Sequence, residues 1–256
     1  MAQITAMEKN KELEIQDTVS DYYENIRYNR KYSKAYQLWW TRKMLSFIKP
    51  ENLKGKILDN GCGIGSHFEE LSKHSEFLVG LDMSEQMIHK ARRRMDRSIL
   101  GDSQRLPFGN EHFDLVFSRS LLHHLPDPES SISEIARVLK HNGEAVFSDT
   151  NSSILSSIPR KIAKKEGKHF SDSHKDFNDK ELIRIIGSHL KIEKVYYFGY
   201  LAYPLLGFPD VTDVFRFFPC KNFLTSFLIK VDEALSEIPL VNNQGWGIII
   251  KTAKKR

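Results

Sequence analysis

Ile57-Leu58-Asp59-Asn60-Gly61-Cys62-Gly63-Ile64-Gly65 is the stretch that decides the fold. A short apolar run enters three glycines separated by single residues, and an amphipathic stretch over 66–73 leaves them. This reads as a buried strand, a tight turn and a helix. Glycine supplies the positive φ that such a turn needs and lets backbone approach a ligand closely. Working outward, the same alternation repeats. Strands are expected at 56–59, 77–82, 99–100, 113–118 and 144–149, the last after a His141-Asn142-Gly143 turn, with helices at 66–73, 84–94 and 128–139. Continuous apolar strands separated by helices predict a doubly wound α/β domain with a parallel sheet covered on both faces. Beyond it, a helix near 179–187, a strand at 192–198 and a last strand at 246–251 are expected. The first fifty residues read as helices carrying Tyr22, Tyr23, Tyr28, Tyr32, Tyr36, Trp39 and Trp40, and Pro50 and Gly55 end them. They are too few to bury a core alone. The expected organisation is therefore a helical cover (1–50) on a domain at 51–256, with an insertion at about 199–240.

The second strand ends in Asp82, twenty-one residues after Gly61. A carboxylate there can accept both ribose hydroxyl hydrogens of an adenosine. A dinucleotide fingerprint, G-x-G-x-x-G, would place glycine at 66, but Ser66 stands there and the spacing is G-x-G-x-G. Asp59, two residues before Gly61, would repel a pyrophosphate and attract a cofactor bearing an amino group and a sulfonium cation.

Of the 256 residues, 40% are hydrophobic and 28% charged, which excludes collagen-like, low-complexity and wholly disordered classes. No run reaches the roughly 18 apolar residues of a membrane span, and the polar N-terminus does not read as a secretory signal. Cys62 and Cys220 make no disulfide framework and have no zinc-ligand spacing around them, so no metal is expected and a reducing cytoplasm is. Cys62, inside the turn, reads as a small buried hydrophobe. The net charge of +5 gathers partly in Arg92-Arg93-Arg94 and in 161–168 and 251–256. Such runs are either solvated faces or an attraction for anionic surfaces.

Residues 56–150 resemble the class I S-adenosylmethionine-dependent methyltransferases, in particular the branch that contains ubiquinone- and menaquinone-biosynthesis enzymes. The resemblance is carried by ILDNGCGIG (57–65), VGLDMSEQMI (79–88) and GDSQRLPFGNEHFDLVFSRSLLHHLPDPE (101–129). It implies a Rossmann-like, seven-stranded sheet with an antiparallel last strand, and S-adenosyl-L-methionine as cofactor. By position it implies that Asp59, Gly61, Gly63 and Gly65 contact the methionine part. Asp82 would hold the ribose, Met83 would pack on adenine, Asp102 and Ser103 would meet the adenine amino group, and Ser118 would border the methionine part. Asn60 and Ser103 stand where the branch often has small or aliphatic residues.

Methyl transfer needs alignment more than covalent help, and a base only where the nucleophile must lose a proton. His123 and His124, just after the fourth strand, are the candidates for that base; the alternative is a structural turn. Tyr23, with Tyr22, is a candidate to reach the cofactor from the N-terminal helix; the alternative is aromatic packing on the sheet. The acceptor is expected to be a small hydrophobic molecule. Seven of the sixteen phenylalanines (Phe198, Phe208, Phe215, Phe217, Phe218, Phe223 and Phe227) fall between Tyr196 and Ile229, where Pro204, Gly207, Pro209 and Pro219 forbid one long helix. Such a surface marks a binding site or interface, or completes a core or dimer contact. Peripheral contact with an anionic membrane is a further expectation. A catalytically silent cofactor-binding subunit, a nucleotide-dependent oxidoreductase and a methyltransferase of a polar metabolite, of RNA or of protein are competing readings. No N/D-P-P-Y/F tetrapeptide follows the fourth strand and no RNA-binding module is visible, so no nucleic-acid partner is expected. The clustered cysteines of arsenite-methylating relatives are also lacking.

Overall fold

Alternation along the strands sorts the apolar side chains into two cores, one on each face of a single sheet. The computed structural model describes residues 24–153, 177–207, 213–239 and 241–255, with positions 10, 11, 13, 14, 17, 156 and 209 besides. The strands are β1 (Ile57–Asn60), β2 (Leu78–Asp82), β3 (Ser98–Leu100), β4 (Phe113–Arg119), β5 (Leu139–Thr150), β6 (Leu190–Phe198) and β7 (Gly247–Lys254). Their order is β3-β2-β1-β4-β5-β7-β6. Strands β1 to β5 are mutually parallel, and β7 runs antiparallel between β5 and β6. The expected seven-stranded sheet with an antiparallel last strand is therefore present.

On one face Ile57, Leu115, Phe117, Val146 and Ile249 meet helix α1 (Lys31–Leu45), whose Tyr36, Trp40 and Met44 are buried. On the other, Leu58, Val116, Ala145, Phe147, Ile248 and Ile250 meet α5 (Pro128–Val138) and α6 (Asp179–His189) through Ile132, Ile135, Leu182 and Ile186. Neighbouring positions thus serve opposite cores, as the strand period of two requires. Three short helices, α2 (Pro50–Leu53), α3 (Phe68–Leu71) and α4 (Glu85–Ala91), precede these, and α7 (Lys221–Ser236) follows them. Helix α5 begins with Pro128 after Asp127, whose carboxylate accepts from the Ser130 amide at 3.2 Å, and Asn178 caps α6 in the same way.

Several boundaries differ from the expected ones. Of the helix at 66–73 only α3 forms, because the glycine turn extends through residue 67. The His141-Asn142-Gly143 turn is absorbed into β5: Leu139 already pairs with Phe113, and a register shift follows before Glu144 pairs with Leu115. Strand β7 runs on to Lys254, because Thr252 and Ala253 still pair with β5. Within 196–229, Phe198 and Phe215 complete the α1-side core, whereas Phe217, Phe218, Phe223 and Phe227 are exposed. Phe208 lies outside the described residues.

Candidate active site

Strands β1 to β5 end on one edge of the sheet, and the chain's direction of travel across the sheet reverses between β1 and β4. A doubly wound sheet opens its ligand crevice at that point. The turn after β1 holds Gly61, Gly63 and Gly65 at φ of 79°, 53° and 74°, values that a side chain tolerates poorly. A β-carbon on Gly61 would press on Leu121 and one on Gly65 would lie against Ala91, but one on Gly63 would meet nothing within 4 Å. The turn is packed from behind and open at its middle.

Asp82, closing β2, aims its carboxylate back at this turn. Its Oδ2 accepts from the Gly63 amide at 2.8 Å and its Oδ1 from the Ser84 amide at 3.0 Å. Burial pushes its carboxyl up, and these amides oppose that shift. Met83 follows in the bend before α4, half-buried. Asp59 is fully buried on β1 and is gripped by His67, whose Nδ1 lies 3.1 and 3.2 Å from its two oxygens. Burial pushes the His67 ring down, against the pull of Asp59. Beyond β3, Asp102 accepts from the Gln104 amide at 2.8 Å, and the buried Ser103 hydroxyl accepts from Asn60 Nδ2 at 2.8 Å while meeting Ser131 Oγ at 2.5 Å. The Ser118 hydroxyl, at the end of β4, is buried with no hydrogen-bond partner among the described residues.

The turn after β4 carries the histidine pair. Nδ1 of His123 lies 2.5 Å from Asp149 Oδ1 at the end of β5, and the His123 amide donates to Oδ2 at 3.3 Å. Burial pushes the Asp149 carboxyl up, but His123, the Thr150 amide and His124 outweigh it and hold the group below the usual carboxylate range. The His124 ring lies against that of His123, centroids 4.0 Å apart. His123 is thus backed by the Asp149 carboxylate. Tyr23 lies outside the described residues. Among the described residues before α1, Asp17 accepts from Ser84 Oγ at 2.5 Å, Glu24 from Arg94 at 2.7 Å, and the Tyr28 hydroxyl from Arg119 at 3.3 Å. Cys62 is buried and its thiol is pushed up, first by burial and then by Asp82 and Asp59, as suits a packing role.

These residues fit an adenosyl amino acid. Asp82 spends one lone pair of each oxygen on backbone and keeps others for a diol. Asp59 offers a buried negative charge, Gly63 offers room and Ser118 an unpartnered hydroxyl. No group of three or more potential metal ligands exists among the described residues. Sequence reasoning missed His67, Arg119 and Asp149. For His67 no signal was available, since its partner Asp59 is eight residues back across a turn.

Residues 58–147 match the protein family described as "Methyltransferase domain". Over 141 residues the chain is 34% identical to a ubiquinone biosynthesis O-methyltransferase of Coxiella burnetii, a match covering 47% of this chain and 60% of the relative. The chain thus spans about three fifths of the curated relatives it first matches. An S-adenosylmethionine-dependent methyltransferase of Thermotoga maritima shares the fold at a TM-score of 0.60 and 19% identity, covering 94% of this chain and 99% of that one. Geranyl diphosphate C-methyltransferase of Streptomyces coelicolor, solved with geranyl diphosphate and S-adenosyl-L-homocysteine, does so at 0.59 and 16%, covering 87% and 79%. The matched segment contains every candidate residue except Tyr23 and, two positions beyond its end, Asp149.

Proposed function

We propose that the protein is an S-adenosylmethionine-dependent methyltransferase acting on a small hydrophobic acceptor. The observation that carries this reading is the set of three aspartates, Asp59, Asp82 and Asp102, at the ends of β1, β2 and β3 around an open glycine turn, within a methyltransferase domain. When bound, the cofactor supplies a methyl group on a sulfonium, whose displacement releases a neutral thioether. The chain's own task is to bind and align. Asp82 orients the ribose, Asp102 the base, and Asp59 holds the cationic end. Where the acceptor is a hydroxyl, Asp149 takes the Nδ1–H of His123, which puts the proton-accepting lone pair on Nε2 and stabilises the imidazolium that results.

The hydrophobic acceptor is supported by the names of the quinone and geranyl relatives and by the exposed Phe217, Phe218, Phe223 and Phe227. The exposed positions of α7 include Phe223, Phe227 and Lys230 and no carboxylate, a face suited to an anionic membrane in which such acceptors reside. No helix among the described residues is long and apolar enough to cross a membrane, so contact would be peripheral. Methyl transfer from radiolabelled cofactor into a panel of prenylated phenols, fatty acids and polar metabolites, run beside vesicle flotation, tests this. Labelling of an apolar acceptor, with flotation lost in Phe223→Asp/Phe227→Asp, is expected. Labelling only of polar acceptors, with no flotation at low salt, would refute the hydrophobic assignment.

A further inference from the structure

Arg30 is the N-cap of α1, and it spends a single nitrogen on the protein. Its Nη1 donates to the Asp213 carboxylate and, at 3.1 Å, to the Tyr32 hydroxyl. Nε and Nη2, which together form the edge on which a guanidinium receives two oxygens, donate to nothing among the described residues, and the side chain is 32% exposed. We propose that Arg30 and Arg216 together receive the phosphate of an anionic lipid headgroup, seating the protein on a bilayer at a defined site. The proposal rests on the peripheral membrane contact above and names the groups that make it.

Asp213 brings the two cations into one neighbourhood. Its carboxylate takes Arg30 Nη1 and the Tyr32 hydroxyl, while its carbonyl accepts the Arg216 amide at 3.3 Å and opens the 3₁₀ turn Val214–Phe217. Arg216 is exposed, its guanidinium over the Phe217 ring at 4.5 Å and without a hydrogen-bond acceptor among the described residues. Two guanidinium charges against one carboxylate leave a surplus of one, the charge that a phosphodiester cancels. A planar fork is also the group that best receives phosphate oxygens. The turn is fastened to the core by Phe215, which is buried between Tyr32 at 5.1 Å and Phe218 at 5.4 Å. Beside the arginines, Phe217 is 75% exposed and Phe218 45%. From Val214 to Lys230 the chain carries three cations, Arg216, Lys221 and Lys230, and no carboxylate. A free phosphate would engage the arginines and leave these rings in water. A bilayer offers phosphate and acyl chains together, so the occupant is a lipid headgroup.

The alternative is attraction by charge alone, in which any cation serves. Flotation with vesicles of phosphatidylglycerol and, separately, of phosphatidylcholine tests the site. Wild-type protein is expected to float with the first and not with the second. Arg30→Lys/Arg216→Lys keeps both charges and loses both forks. A fork site lowers its partitioning about tenfold or more, whereas charge alone moves it by less than about twofold. Arg216→Lys, at an exposed position, guards against misfolding of the double variant and is expected to show part of the loss with thermal melting unchanged. Phe217→Ser/Phe218→Ser is expected to lose flotation. Wild-type partitioning in the double lysine variant would overturn the fork site while the membrane reading stands. Equal flotation with both vesicle types would overturn the anionic headgroup. Full flotation of the serine variant, released by inorganic phosphate, would overturn the lipid and make the ligand a free anion. Flotation with neither vesicle overturns the membrane reading and the site with it.

Discussion

Replacing Asp82 by asparagine separates its two tasks. The carboxylate accepts the amides of Gly63 and Ser84 at 2.8 and 3.0 Å, and on this account it also receives the ribose diol. Asparagine keeps one acceptor oxygen, so the turn loses at most one backbone bond, while the charge and one ribose bond disappear. A charge-assisted hydrogen bond is worth about 1.5–3 kcal/mol, so affinity for S-adenosylhomocysteine should fall about ten- to a hundredfold. Asp82→Ala should also release both amides, with a further stability loss of about 1–3 kcal/mol visible in thermal melting. Burial raises the Asp82 carboxyl, so wild-type binding should weaken on acidification at a higher pH than an ordinary carboxylate would give. Calorimetry and melting curves on the same samples provide the assay. Wild-type affinity in Asp82→Asn, with melting unchanged, would refute the placing of the ribose on Asp82.

Three further outcomes follow from the geometry. Gly63→Ala should cost about 1–2 kcal/mol of stability through its positive φ alone, yet should abolish cofactor binding because its methyl enters the open side of the turn; tight binding in this variant would count against that position. His123→Ala and Asp149→Asn should each slow methylation of a hydroxyl acceptor by about 10²- to 10⁴-fold and leave the affinity for S-adenosylhomocysteine intact, measured by single-turnover kinetics and calorimetry. Asp232 is buried, caps the Leu201 and Ala202 amides, and is raised by burial from 3.8 to about 6. Its raised pKa gives a stabilising contribution that is full below about pH 4 and is lost as pH rises through about 6, of about 3 kcal/mol at about 1.4 kcal/mol per pKa unit. In denaturant titrations across that interval Asp232→Asn should lack this slope, and parallel slopes would contradict it.

What the sequence made legible is what local pattern controls. The run from Ile57 to Gly65 specified a strand and a positive-φ turn, and the Asp59 and Asp82 positions lie where the strand ends put them. The turn's length was not legible: three glycines in a row of alternate positions displace the start of α3 to Phe68. Partners across the fold were hidden as well. His67 returns to Asp59 only because the turn curls back, and Asp149 reaches His123 only because β5 lies beside β4. Arg119 did leave a trace, as the charged residue that ends FDLVFSR two places after Phe117, and alternation alone puts it on Phe117's face. The phenylalanines of the C-terminal half show the limit of composition: Phe198 and Phe215 went to the core and Phe217, Phe218, Phe223 and Phe227 to the surface, according to which element each fell on.

The central claim is that the edge between β1 and β4 holds an adenosyl amino acid rather than a dinucleotide. Parallel calorimetric titrations of the purified protein with S-adenosylhomocysteine and with NADH test it most directly. Saturable one-to-one binding of S-adenosylhomocysteine and no heat from NADH is the predicted result; binding of NADH, or of neither, would contradict it.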